Sequence, residues 1–158
     1  FVSRLNGWAR FDSLQRHYSL VQRAEFEREL AGACRAYQVG VIPYSPLAGG
    51  ILTGKYSRGA KPAGARYTIF DTVGSRFREP IVHEAADAYA DLARRRGLTP
   101  VQLALGYVRS RWYVGATSVG APSAAQLDED IAGAQVELDA GTLAEIAALQ
   151  VRYPNPAP

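Results

Sequence analysis

Three short apolar runs, each too brief for a helix and too continuous for a one-sided sheet, constrain this chain most: residues 11–14 (FDSL), closing on Gln15, residues 39–44 (VGVIPY) and residues 113–119 (YVGATSV). A strand buried on both faces has no reason to alternate apolar and polar side chains, so runs of this kind point to parallel sheet. Helical patterns lie between them. Phe26, Leu30, Cys34 and Tyr37 recur at helical spacing, and that helix is expected to end near Gly40. Residues 84–96 place Ala85, Tyr89, Leu92 and Ala93 on one side and stop at Gly97.

Thr99-Pro100 reads as a helix cap followed by proline at the first helical position, with Val101, Leu105 and Val108 facing inward. Ser123 with Gln126, and Thr142 with Glu145, match the capping box and predict two more helix starts. Strands alternating with helices argue for an α/β protein built of parallel units. Residues 57–80, rich in Gly, Pro, Ser and Arg, read as an irregular loop. Neither an internal repeat nor a domain linker is evident, so residues 1–158 are expected to form one unit without a second domain.

With 47% hydrophobic and 21% charged residues the chain can pack a globular core. Its net charge of +3 arises from dispersed residues, as in 23–28 (RAEFER), which argues against a nucleic-acid partner. Cys34 is the single cysteine and His17 and His83 lie far apart, so neither a disulfide within the chain nor a metal site is expected. A reducing, cytoplasmic setting without a membrane partner follows as an expectation, since no apolar run approaches the roughly 20 residues that span a bilayer and no leader pattern opens the chain. The chain opens on Phe1 and contains no methionine, which suggests processing or a piece of something longer.

Residues 49–55 spell G-x-x-x-x-G-K within PYSPLAGGILTGKY (43–56). A P-loop needs Ser or Thr after its lysine to hold magnesium, and here Tyr56 follows Lys55. A strand-to-helix loop fits better than a triphosphate cradle. An aromatic, a hydroxyl and small residues at the C-terminal end of a parallel strand could still stack a ring and hold a phosphate. Tyr44 as an ordinary core residue is the alternative reading.

The run VIPYSPLAGGILTGKY (41–56) resembles the seventh-strand signature of the aldo-keto reductases. LQRHYSL (14–20), TPVQLALGY (99–107) and VGAPSAAQLDED (119–130) keep that family's order across almost the whole chain, in the branch that includes potassium-channel beta subunits and bacterial reductases. The resemblance implies a partial (β/α)8 TIM barrel, about strands six to eight with their helices, and NADP as cofactor, with NAD as the alternative. It implies that Gln15, at the end of its strand, holds the nicotinamide carboxamide and that Tyr44 stacks on the ring. Ser45, Pro46, Leu47, Ala48 and Gly49 with Lys55 would contact the pyrophosphate, Arg66 the adenosine phosphates, and Gly120, Gln126, Glu129 and Asp130 the adenine end. Gln126 could instead only complete its capping box.

Three positions depart from the family pattern. Pro122 stands where serine is frequent, Ser123 where this branch often has arginine, and Asp130 replaces asparagine. The resemblance places the family's tyrosine, lysine, aspartate and histidine tetrad outside this chain; His17 and Tyr18 fall in its HYSL stretch, whose role is structural. The expected activity is reduction of a small-molecule aldehyde or ketone by a complete barrel. The alternatives are a non-catalytic nucleotide-binding or interaction module and an inactive truncated remnant. Since a closed barrel takes about 250 residues, the open strand edges predict pairing with the missing N-terminal half, or self-association.

Overall fold

The computed structural model describes residues 1–70 and 74–157, so the part of the loop at 71–73 and the final residue lie outside the described residues. After a short helix α1 (Val2–Leu5), strand β1 (Ser13–His17) runs parallel to β2 (Gly40–Tyr44), pairing Ser13 with Gly40 through to His17 with Tyr44. Between them a π turn (Phe26–Leu30) runs directly into α2 (Ala31–Tyr37). The first strand therefore starts later than its apolar run suggests, and Gln15 sits at its centre rather than its end. Phe11, at 81% exposure, lies outside it.

Helix α2 stops before Gly40 because Gln38 takes a left-handed conformation at φ 55°, which turns its amide back onto Arg35 and Cys34 carbonyls and frees Gly40 to open β2. Phe26 and Cys34 are buried as the helical spacing predicts, whereas Tyr37 is 62% exposed. The third apolar run does not form a ladder. It approaches β2 through isolated parallel bridges, Val41 with Val114 and Tyr44 with Ser118. The Val41 amide donates to Tyr113 O at 2.8 Å and the Ser118 amide to Pro43 O at 2.8 Å, so residues 113–118 still follow β2 as its parallel neighbour.

Beyond a short helix α3 (Arg66–Ile69), the chain packs four long helices, α4 (Pro80–Arg95), α5 (Pro100–Arg109), α6 (Ala124–Gln135) and α7 (Ala140–Arg152). Helix α4 buries Val82, Ala85, Tyr89, Leu92 and Ala93, one stripe at helical spacing. Helix α5 begins as its sequence predicts, with Thr99 accepting from the Gln102 amide at 3.1 Å and the Gln102 side chain accepting from the Thr99 amide at 2.9 Å. Helix α6 lies close on α5 at Gly133, where a Cβ would sit 3.1 Å from Leu105 Cδ1 and 3.4 Å from Val101 O.

The start of α7 corrects the sequence reading. Asp139, not Thr142, caps the helix, accepting from the Thr142 amide at 2.6 Å. Thr142 is thereby buried in the first turn, and Glu145 instead reaches α4, at 2.8 Å from Arg95 and 2.6 Å from Arg96.

A buried polar cluster ties these layers together. The Tyr18 hydroxyl donates to Glu27 Oε1 at 2.6 Å and accepts from Tyr113 at 2.7 Å, while Gln150 Nε2 donates to the Tyr107 hydroxyl at 2.8 Å. Arg23 pairs with the same Glu27. Because each partner comes from a different segment, burial of these hydroxyls fixes the register of β1, α5, residues 113–118 and α7 against one another. The opposite face of the sheet is less covered: Ser13, Gln15 and Tyr44 are exposed, and Gly40 and Ile42 half-buried. Among the described residues no helix is long and apolar enough to cross a membrane.

Candidate functional site

The end of β2 sets the site. Tyr44 pairs with His17 and bridges Ser118, so its backbone is held from both sides while its ring remains 40% exposed. His17 packs edge-on against that ring, with centroids 5.0 Å apart and planes at 86°. Burial, with the Arg76 and Arg16 charges adding to it, lowers the His17 pKa to about 4, so the imidazole is neutral at physiological pH.

Immediately beyond Tyr44 the chain enters a loop of unusual backbone. Ser45 at φ 54° and Ala48 at φ 50° are non-glycine residues in the left-handed region, followed by Gly49 at φ 65° and Gly50 at φ 104°. Each such non-glycine conformation costs about 1–3 kcal/mol and persists where the surroundings enforce it. Here the Ala48 amide donates to Ser45 O and the Gly50 amide to Leu47 O, both at 2.9 Å, closing overlapping tight turns at residues 45–48 and 47–50. The loop is a run of tight turns kinked at the left-handed Gly49 and Gly50, and not the wide curl of a triphosphate cradle.

Lys55 folds back over the loop. A Cβ on Gly50 would lie 3.1 Å from Lys55 Nζ, and the ammonium stands 5.3 Å from the centre of the Tyr56 ring. Arg66 opens α3, and the next residue, Tyr67, lies directly over Gly49. Among the described residues neither cation forms an ion pair.

These groups line a cleft of about 880 Å³ at the C-terminal ends of the parallel segments. Its lining includes Tyr44, Ser45, Pro46, Leu47 and Gly49, together with Lys55 and Arg66. The lining is completed by residues more than 50 positions further along the sequence, Gly120, Gln126, Glu129 and Asp130. Ser123 caps α6 by accepting from the Gln126 amide at 3.3 Å, but among the described residues the Gln126 side chain does not return a bond, so it is available to the cleft. Asp130 is 6% exposed and also borders a second cleft of about 400 Å³. Burial, then the Glu129 charge beside it, raises the Asp130 carboxyl above its ordinary pKa.

Two expected residues stand apart. Ala48 is fully buried beneath the loop and does not line the cleft. Gln15 does not line it either; it lies one pleat back from His17 on the face that also carries Tyr44. Tyr18 points into the core polar cluster, where burial and its tyrosine neighbours push its pKa far up, and it does not line the cleft. The sequence reading passed over Ser118, Val119, Ile69 and Phe70, which also border the cleft. Ser118 and Val119 close the third apolar run, and Ile69 and Phe70, at 57% and 54% exposure, are apolar residues in an otherwise polar loop. Those were the available signals.

Fold and cleft define an α/β protein that presents an exposed tyrosine ring, a tight glycine loop and two cations, unpaired among the described residues, at the carboxyl ends of parallel strands. The Aldo/keto reductase family model matches residues 2–151, and the chain belongs to that family. It is 43% identical to Protein tas of Escherichia coli (strain K12) over 149 residues, covering 94% of this chain and 42% of that protein. It is 34% identical over 121 residues to a putative voltage-gated potassium channel subunit beta of Schizosaccharomyces pombe, covering 74% of this chain and 35% of that one. With the versiconal hemiacetal acetate reductase of Aspergillus parasiticus the identity is 31% over 159 residues, covering 94% and 42%. The chain thus spans about two fifths of the length of the curated relatives it matches.

Proposed function

We propose that this chain supplies the cofactor-binding part, about strands six to eight, of an NAD(P)H-dependent (β/α)8 oxidoreductase that reduces an aldehyde or ketone. The observation that carries the reading is the cleft itself: Tyr44, the left-handed loop, Lys55, Arg66 and the α6 wall converge there from distant parts of the sequence. Its size and its chemistry, an aromatic surface together with cations and hydrogen-bonding groups, fit an extended dinucleotide.

In this reading Tyr44 lies against the nicotinamide ring and decides which face is presented, with His17 bracing it from the edge. Gln15 reaches the carboxamide from the same sheet face. Ser45, Leu47 and Gly49 hold the pyrophosphate from beneath while Lys55 and Arg66 neutralise it, an arrangement made effective by the partly enclosed cleft. Gly120, Gln126 and Glu129 receive the adenine. The bound cofactor supplies hydride. The proton donor and the rest of the carbonyl pocket belong to other parts of the complete protein, which also covers the exposed sheet face of Gln15, Ile42 and Tyr44.

The names of two matched relatives, both potassium channel subunits beta, favour a second reading in which the nucleotide site serves an interaction or sensing module. Isothermal titration of the chain with NADH and NADPH, followed by an aldehyde-reduction assay, tests both. Binding without turnover is expected of the chain alone. Absence of binding to either nucleotide contradicts the cofactor role, and turnover by the chain alone contradicts the assignment of the acid to other parts of the protein.

A further inference from the structure

We infer that the face at the amino ends of the parallel segments docks an acidic segment of another protein, with Trp112 as its apolar anchor and Arg35 as its charged one. This face lies at the other end of the strands from the cleft and does not depend on what the cleft holds. Three stretches meet there through their backbones. The Gly40 amide donates to Asp12 O at 3.0 Å and the Val41 amide to Tyr113 O at 2.8 Å, so residues 10–12, 35–40 and 111–113 share one end of the sheet. A tight turn after α5, closed by the Val114 amide on Arg111 O at 3.0 Å, sets Trp112 out at 57% exposure, and α2 ends on Tyr37 at 62%. Trp112 is nevertheless held in place. Its ring packs edge-on with Tyr113, centroids 5.2 Å apart and planes at 80°, and the Arg35 guanidinium carbon stands over the indole at 4.7 Å from its centre.

Charge decides the kind of partner. The exposed Arg35 side chain makes neither a hydrogen bond nor an ion pair among the described residues, so its N–H donors are free for a carboxylate, which a guanidinium takes through two parallel bonds. Arg109, exposed at the end of α5, is likewise without an ion pair among the described residues, and Arg111 adds a third positive charge while donating to Ser110 Oγ at 2.9 Å. Asp12, the carboxylate beside Gly40, is already held by Arg10 at 3.3 Å. The face therefore joins surplus positive charge to exposed Trp and Tyr rings, and Trp, Tyr and Arg are the side chains that carry most binding energy at protein interfaces. Ring and guanidinium are oriented beforehand, so little freedom is lost on docking. A second copy packed on the same face about a two-fold axis would set like arginines against each other, and a nucleic acid needs a concentrated basic track that this chain's dispersed charge does not form. Further strands of a complete barrel would add along the outer edges of β1 and residues 113–118, whereas this face surrounds the entry to β2 between them.

The chain has two tryptophans, so in a Trp8→Phe background the fluorescence of Trp112 alone reads this face. The probes are a short peptide of alternating glutamate and leucine, the same peptide with glutamine for glutamate, and single-stranded oligothymidylate. Expected is a saturable change in Trp112 fluorescence with the acidic peptide, an affinity about tenfold or more lower for the glutamine peptide, and weakening as NaCl is raised. Arg35→Gln should weaken the acidic peptide about tenfold, and Trp112→Ala, followed by titration calorimetry, about tenfold or more. Arg35 is exposed, so its variant keeps the test open if loss of Trp112 disturbs the packing of Tyr113. No response to the acidic peptide, equal affinity for the glutamine peptide, or unchanged affinity in Arg35→Gln overturns the inference. Tighter binding of oligothymidylate than of the acidic peptide overturns it in favour of a nucleic-acid surface. Self-association in analytical ultracentrifugation that is abolished by Trp112→Ala overturns it in favour of a contact between copies.

Discussion

Replacing Gly49 by alanine should damage the cleft in two separable ways. The backbone at φ 65° becomes strained once a Cβ is present, at about 1–2 kcal/mol. The new methyl also collides with the Tyr67 hydroxyl, with Tyr67 Cζ at 3.1 Å behind it, and forcing an occupied site apart costs about 1–3 kcal/mol. Together the loss of unfolding free energy should reach about 2–5 kcal/mol. Tyr67→Phe removes the colliding oxygen and gives up little, because that hydroxyl is 3.5 Å from its acceptor, Ala48 O. The Gly49→Ala, Tyr67→Phe double variant should therefore recover about 1 kcal/mol or more over Gly49→Ala, leaving the strain in place. Urea unfolding followed by tryptophan fluorescence measures all four corners of this cycle. A Gly49→Ala loss below about 0.5 kcal/mol, or a strictly additive cycle, would refute the reasoning that the loop is fixed by close approach of Tyr67.

Tyr44→Ala should weaken NADH binding about tenfold or more while leaving ADP-ribose within about twofold, and Tyr44→Phe should keep both, since only stacking is removed; titration calorimetry reads the difference. Thr99→Ala should cost about 1 kcal/mol, because it removes the hydroxyl half of a reciprocal cap, and Thr99→Ser should restore it in a thermal melt. His17, neutral in the fold, binds its proton more readily when unfolded, so its stabilising contribution is complete above about pH 6.5 and is lost as pH falls toward 4. A shift of that size corresponds to a loss on the order of 3 kcal/mol, and His17→Phe should flatten that part of the stability profile in urea titrations at stepped pH.

What could be read from sequence was what depends on neighbours along the chain. The parallel pairing of β1 and β2 agrees with the expected order of strand, helix and strand, but burial on both faces does not hold, since Gln15 and Tyr44 are exposed; Thr99-Pro100 carries its cap within four residues. Gln15 was placed at a strand end because strand limits depend on pairing, and Phe11 looks like strand until its exposure removes it from the sheet. Two overlapping cap patterns compete at the start of α7. Asp139 stands three residues before Thr142, and the burial of Thr142 decides between them. Residues 113–119 have the composition of a strand, yet they meet β2 only at separate bridges.

The site followed the same division. Tyr44 and the glycine loop are contiguous in sequence and were identifiable together. The meeting of that loop with Glu129 and Asp130 in one cleft was not, because it depends on how the left-handed loop turns and on how closely α6 settles onto α5 at Gly133. Asp130 as a wall shared by two clefts is likewise a product of helix packing.

Hydrogen–deuterium exchange of the chain with and without NADH tests the central claim most directly. The account predicts slowed exchange at residues 45–55 and 118–130 together, with the Tyr18 and Tyr107 core unchanged. Protection absent from those two segments, or confined to one of them, would contradict a dinucleotide lying across the cleft.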